Sequence, residues 1–491
     1  MEPEAPRRER GPPADALRAM LSGAGNAALA RRLARPTVQR FAELEHKAIG
    51  DRAAGDVQFR IAPTGRLHLD DVNITYGDLV AMGDYFTTPD EITSLTATPG
   101  LSKNTIGEVY YTLYVKIRGQ SEGPLVGKKF DATAKEAVEE RFLKLAASNV
   151  SHFPNPRSGD VDQDPRTKAK RHDGPALTGE PATYRDGHVR AVRRAVELAR
   201  AGHPVGGALA IDAFYSHFLT DAFSAGHIRT PRVTVVNYWN TRVPDFNARF
   251  VAWLGDKLGF FISHTGSQLE QAAPRGTVRS GARDAVKEAL KKKPPLSFGD
   301  VIGGALHDFD SQRGVVVTIG GKKMRMVGDG HLLDREGDDD AATQKAAATT
   351  MDIAVKAVQS SRRDVERAYD MGAAGSDLDA VLAALTKEGK GLFLPERLVP
   401  EPVPDDQLTD ADKALMWVFK DTDDLLKDKR MRRALTLFAN NKAGMFDAIM
   451  DDPKIEEVAK QGLRLLVQEP MRSSDTNTTI GLFRDILAHA P

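Results

Sequence analysis

The sequence predicts a mainly α protein: a helical body carrying a small β-hairpin, followed by a helical C-terminal module. Three observations point there. Apolar residues recur at helical spacing through 136–148, 187–202 and 205–225. One segment reads as a hairpin, Val315–Ile319, then Gly-Gly-Lys-Lys, then Met324–Val327. From about residue 340 an alanine-rich run, AATQKAAATTMDIAVKAVQSSRRDVERAYDMG, opens behind Asp338–Asp340, as a long helix does behind an acidic cap.

Taken in order, residues 1–14 are rich in Pro and Arg and are expected to be flexible. Leu17, Met20, Leu21, Leu29 and Leu33 then give helical spacing on either side of a break at Gly23–Gly25, so 1–40 reads as a leader with a short helix. Residues 41–335 read as one unit, in which 268–294 is a polar, basic loop or exposed helix. Residues 336–491 form the C-terminal module, with a proline-rich linker at 395–404 and further helices through 410–467. It serves either as an interaction module or as packing for the body.

Composition narrows the chemistry. The 491 residues allow two to four domains, and 41% hydrophobic content supports a sizeable core. Lys+Arg and Asp+Glu number 68 each, which argues against a global electrostatic grip on nucleic acid. With no cysteine there are no disulfides, no thiolate nucleophile and no Cys-based zinc site. Any metal must be held by His, Asp and Glu. No run of about 18 apolar residues predicts a transmembrane helix, and MEPEAPRRERGPPADALRAM lacks the apolar stretch of a secretory signal.

The chemistry concentrates in PVGGALAIDAFYSHFLTDAFSAGH, residues 204–227. His217 and Asp221 are four apart, so a helix sets them one turn above the other on one face, as two ligands of one metal require. Gly226 is placed for a left-handed helix cap, which frees His227 to turn towards a second, neighbouring metal. The competing reading is a buried, hydrogen-bonded His–Asp pair in an apolar core, since Asp221 alone among such flanks is costly.

At these residues the chain resembles the zinc-dependent phospholipase C and single-strand-specific nuclease superfamily. His217, Asp221 and His227 match its central His-x3-Asp-x5-His string without a gap. The resemblance implies an all-helical, metallohydrolase-like body binding two or three Zn²⁺, with His217 on one zinc, Asp221 bridging two and His227 on the zinc set slightly apart. It also implies further ligands in a fixed order: an early His, here His46; an Asp that doubles as general base, here Asp84 with Asp78 as competitor; a second His, here His152; and a last pair, here His307 with Asp310, or Asp308 as the weaker choice.

The chain departs from the pattern at three points. The last pair is His-x2-Asp rather than His-x3-Glu. About 80 residues separate His227 from His307, far more than the family's short interval, so the resemblance implies an insertion at about 228–300. The family's N-terminal Trp ligand has no counterpart, and Glu45 or Asp51 is its expected substitute. His188 in YRDGHVRAV either orients a metal ligand or is helical surface, with surface the preferred reading, and His331 in GDGHLLD is read as a turn residue.

These expectations converge on a zinc-dependent phosphodiester hydrolase. Imidazole and carboxylate suit Zn²⁺, which acidifies bound water, and Asp84 would orient or deprotonate that water. Tyr238, Trp239, Phe246, Phe250, Trp253, Phe260 and Phe261, interleaved with Arg229, Arg232, Arg242 and Arg249, suit a lipid rim or a nucleic-acid platform. Neutral net charge tilts the choice to a lipid or small phosphoester.

The segment from Ala24-Gly25-Asn26 to Val38-Gln39-Arg40 resembles a short N-terminal element of proteins encoded with contractile injection systems. It implies a protein made in a bacterial cytoplasm and carried as effector or toxin cargo by such a particle, in its tube lumen or at its baseplate or cap. The alternatives are a structural or adaptor component retaining the metal-binding fold, a nuclease of the same superfamily, and a free-standing cytoplasmic metallohydrolase.

Overall fold

A computed structural model describes residues 43–60, 73–89, 91–92, 108–109, 111–119, 137–138, 141–142, 180–228, 232–264, 297–328, 330–333, 340–387, 391–403, 407–408, 422–442 and 476–490. The leader, His152, the run 268–294 and most of 136–148 lie outside the described residues. The protein is mainly α, as the periodicity predicts.

Helix α1 (Glu43–Ala54) leads into the antiparallel pair β1 (Gln58–Arg60) and β2 (Asn73–Thr75) and then α2 (Tyr76–Met82). Thr75 and Asp78 close a reciprocal capping box that fixes the start of α2. Helices α1 and α2 pack backbone to backbone. A methyl group on Gly77 would stand 2.1 Å from the Lys47 carbonyl, and the Gly77 amide donates to Asp51 Oδ1 at 3.1 Å. Gly77→Ala is therefore expected to cost roughly 3 kcal/mol or more, read as a lowered midpoint in urea unfolding; a midpoint within error of wild type would show that the two helices can separate freely.

Helix α3 (Glu180–Arg200) packs on the central helix α4 (Gly206–Asp221), which ends in the single turn α5 (Ala225–Ile228). Helices α6 (Arg232–Arg242), α7 (Phe246–His264) and α8 (Phe298–Arg313) follow. Ser297 caps α8 by accepting the Asp300 amide. Strands β3 (Val315–Ile319) and β4 (Lys322–Met326) pair in register about a two-residue turn, Gly320–Gly321. Lys322 and Lys323, expected in the loop, belong to the strand, because two glycines with positive φ suffice for a tight hairpin.

The long helix α9 (Ala341–Ala373) starts at Asp340, whose side chain accepts the Thr343 amide at 2.7 Å. It lies against α1, α3 and α4. Helix α10 (Leu378–Thr386) follows. Residues 395–403 of the expected linker are packed structure: Pro395–Leu398 is a 3₁₀ turn, and β5 (Glu401–Pro402) adds to the edge of β3. An edge strand tolerates Pro402, which has no N–H to give. Helices α11 (Thr422–Lys427), α12 (Lys429–Lys442) and α13 (Thr476–Ala488) complete the described chain.

Among the described residues three apolar cores result. One, around Phe214, Phe218 and Tyr85, gathers α1, α2, α4, β3, β4 and α9. Another joins α3 and α4 to α9 and α10. The third brings Trp239, Phe246 and Trp253 against Leu425, Leu435 and Ile480 of the C-terminal helices. Those aromatics, anticipated as a rim or stacking platform, are core: Trp239, Phe246 and Trp253 are each at most 2% exposed. Among the described residues no helix is long and apolar enough to cross a membrane.

Candidate metal centre

Three helices deliver buried ligand-type side chains to one point. Helix α1 brings His46, the end of α2 brings Asp84, and α4 brings His217 and Asp221, all between 0 and 2% exposed. One ligand atom each from His46, Asp84 and His217 lies within 4.8 Å of the others. His217 Nε2 is 3.8 Å from Asp84 Oδ1. Asp221 faces both imidazoles, with Oδ1 3.4 Å from His46 Nε2 and Oδ2 3.4 Å from His217 Nε2. The two rings stand 4.3 Å apart, tilted by 43°.

The local sequence explains the convergence. Met82 ends α2, so Gly83 and Asp84 turn into the cluster. A methyl on Gly83 would stand 2.3 Å from His217 Cγ, so glycine is what lets the imidazole lie flat against this turn. Thr220 sets a tautomer. Its hydroxyl donates to the His217 carbonyl at 2.7 Å and so accepts from His46 Nδ1 at 2.8 Å. His46 Nε2 then presents its lone pair to the Asp221 carboxylate. Two acceptors at 3.4 Å need a cation or proton between them. This donor set of two imidazoles and two carboxylates fits a divalent, borderline-hard metal such as zinc.

Asp78, the competitor of Asp84, is otherwise engaged. It meets Arg118 Nη2 at 2.6 Å and Lys47 Nζ at 2.9 Å. Burial pushes its pKa up, but hydrogen bonds from Arg118, the Thr75 amide and Lys47 outweigh that and hold it below the usual carboxylate value. The expected substitutes for the missing terminal ligand are also committed. Glu45 accepts the Gly330 amide at 2.9 Å and the Leu332 amide at 2.8 Å. Asp51 binds Lys47 Nζ at 2.8 Å and the Gly77 amide at 3.1 Å. Both carboxylates tie chain segments together.

A second histidine pair forms where α5 meets α8. His227 on α5 and His307 on α8 are buried with ring centroids 4.9 Å apart, edge to face. Asp308 Oδ1 lies 3.0 Å from His307 Nδ1, the arrangement by which a carboxylate orients an imidazole and turns its Nε2 outward. Asp308 is thereby an orienting group, while Asp310, the expected ligand, is buried on the same helix. Gly226 is not a left-handed cap: α4 already ends at Asp221, and Gly226 sits inside α5. Close approach demands it, because a methyl there would stand 2.5 Å from Ser311 Oγ and 2.6 Å from His307 Cδ2. Ser311, four residues after His307, thus neighbours this pair; its sequence gave no sign of it.

His188 overturns its surface reading. It is 0% exposed, with Nδ1 2.9 Å from Asp212 Oδ1 and Nε2 3.6 Å from Asp364 Oδ2. His331 sits in a bend, its amide donating to the Gly328 carbonyl at 3.2 Å.

A scan against models of protein families, a search of curated proteins and a search of solved structures each found no match for this chain.

Proposed function

We propose that the chain is a zinc-dependent phosphodiester hydrolase, phospholipase C-like, acting as effector cargo of a contractile injection particle. The observation that carries the enzymatic part is Asp221, whose two oxygens each face a different imidazole in a buried cluster that also holds Asp84. That is the disposition of a bridging carboxylate. His46, Asp84, His217 and Asp221 would hold one part of a metal cluster, and His227 and His307 would supply the neighbouring part. Bound zinc supplies a water acidified to a pKa of about 7 and a clamp for phosphoryl oxygens. The protein's own groups do the rest. Thr220 keeps the His46 lone pair aimed inward, Asp308 orients His307, and Asp84 takes the proton of the attacking water. With Trp239, Phe246 and Trp253 buried in a core, they serve neither as a lipid rim nor as a nucleic-acid platform, and the neutral net charge is what tilts the substrate towards a lipid or small phosphoester.

The burial of the cluster favours a second reading, an adaptor or structural component that keeps the metal for stability alone. His46, His217 and Asp221 are 0% exposed, as in a closed structural site. Zinc analysis of the purified chain, paired with hydrolysis of a chromogenic phosphodiester with and without chelator, separates the two. Two or three zincs with chelator-sensitive turnover is the expected result. Bound zinc without turnover would select the adaptor, and a metal-free, inactive chain would overturn both. Co-purification with a sheath–tube particle tests the cargo assignment.

A further inference from the structure

Next to the centre, but sharing none of its ligands, lies a second buried polar cluster. Asp212 is its hub. It accepts from Tyr76 Oη at 2.6 Å, from His188 Nδ1 at 2.9 Å and from Ser361 Oγ at 2.7 Å. Tyr76 Oη also reaches Ser216 Oγ at 3.2 Å, and Tyr184 Oη donates to Ser361 Oγ at 2.8 Å. Tyr76, Tyr184, His188, Asp212, Ser216 and Ser361 are all 0% exposed.

The placement in the chain matters more than the count of bonds. Asp212 and Ser216 lie on α4, the helix that carries His217 and Asp221. Tyr76 opens α2, the helix that delivers Asp84. The Tyr76 hydroxyl is therefore a cross-brace between the two elements whose relative position sets the 3.8 Å approach of His217 to Asp84. His188 on α3 and Ser361 on α9 fix Asp212 from the opposite side, so α4 can neither rotate nor slide without breaking a buried bond. A slip of α4 along its axis would displace His217 and Asp221 together. Buried polar networks are costly when half satisfied, which makes this one a strong selector of a single helix register.

We propose that Tyr76, His188, Asp212 and Ser361 are positioning residues that set the affinity and geometry of the metal centre; this rests on the metal-centre reading above. Outer groups of this kind typically change metal affinity by roughly 10–100-fold. The test uses the full chain and the variants Tyr76→Phe and Asp212→Asn. Tyr76→Phe keeps the ring in the core and removes only the hydroxyl. Zinc affinity is measured by competition with a chelating dye, and geometry by the visible spectrum of the cobalt-substituted chain. Val381→Ala, a cavity in the core beneath α10, is the stability control. Tyr76→Phe is expected to weaken zinc binding roughly 10–100-fold and to shift the cobalt spectrum, while Val381→Ala lowers the thermal midpoint and leaves both unchanged. Wild-type affinity and spectrum in both network variants would overturn the proposal with the metal reading intact. A wild-type chain that takes up neither zinc nor cobalt would overturn the metal reading, and the positioning role with it.

Discussion

An Asp221→Ala chain is expected to purify without its full metal complement and without phosphodiesterase activity. The carboxylate stands between His46 and His217, 3.4 Å from each Nε2. Its loss removes a ligand oxygen from two positions at once and leaves two imidazoles 4.3 Å apart with no anion between them. The drop in turnover should exceed the roughly 10–100-fold that outer-shell changes cost. His217→Ala should match it, because the His217 ring faces both Asp84 and Asp221, at 3.8 and 3.4 Å. Elemental analysis and turnover of each variant, checked against unchanged helical content by circular dichroism, decide the matter. Full metal content and full activity in either variant would mean that the cluster is core packing and that catalysis, if any, lies elsewhere.

How much of this was legible beforehand follows from the kind of signal each residue leaves. His217 and Asp221 were readable because a helix converts a spacing of four into a shared face, and that relation survives in one dimension. His46 and Asp84 were readable by order along the resembled pattern, and the structure brings both to His217. His188 was misread because its sequence neighbours are charged. Its partners are Asp212, Ser361 and Asp364, from 24 to 176 residues away, and apolar periodicity carries no mark of a buried charge. Gly226 was misassigned for a related reason. A glycine near a helix end suggests a cap, whereas here the constraint comes from His307 and Ser311 on another helix. The aromatics of 238–253 were ambiguous between platform and core, since only the C-terminal helices that cover them decide it. Local relations could be read, and packing between distant segments could not.

A marked loss of stability with rising pH should come from His188. Burial alone would lower its pKa, but the hydrogen bonds and charges of Asp212 and Asp364 outweigh that and raise it to about 9. An unfolded histidine titrates near 6.5. The folded chain therefore holds a proton that the unfolded chain releases over this range. The stabilisation is complete below about pH 6.5 and is lost as pH rises towards about 9, by roughly 3 kcal/mol in all. The groups that face His188 are Asp212 from α4, Asp364 from α9, Tyr184 from its own helix and Glu396 from the 3₁₀ turn. Burial holds the Tyr76 and Tyr184 hydroxyls well above their ordinary value, so they add a loss only above about pH 10. Urea unfolding of metal-stripped wild type and His188→Gln from pH 6 to 9.5 isolates the contribution, because every other titration is common to both chains. Wild type should lose its advantage over the variant across the window; a difference independent of pH would mean that His188 is neutral in the fold and that Asp212 and Asp364 are held by other means.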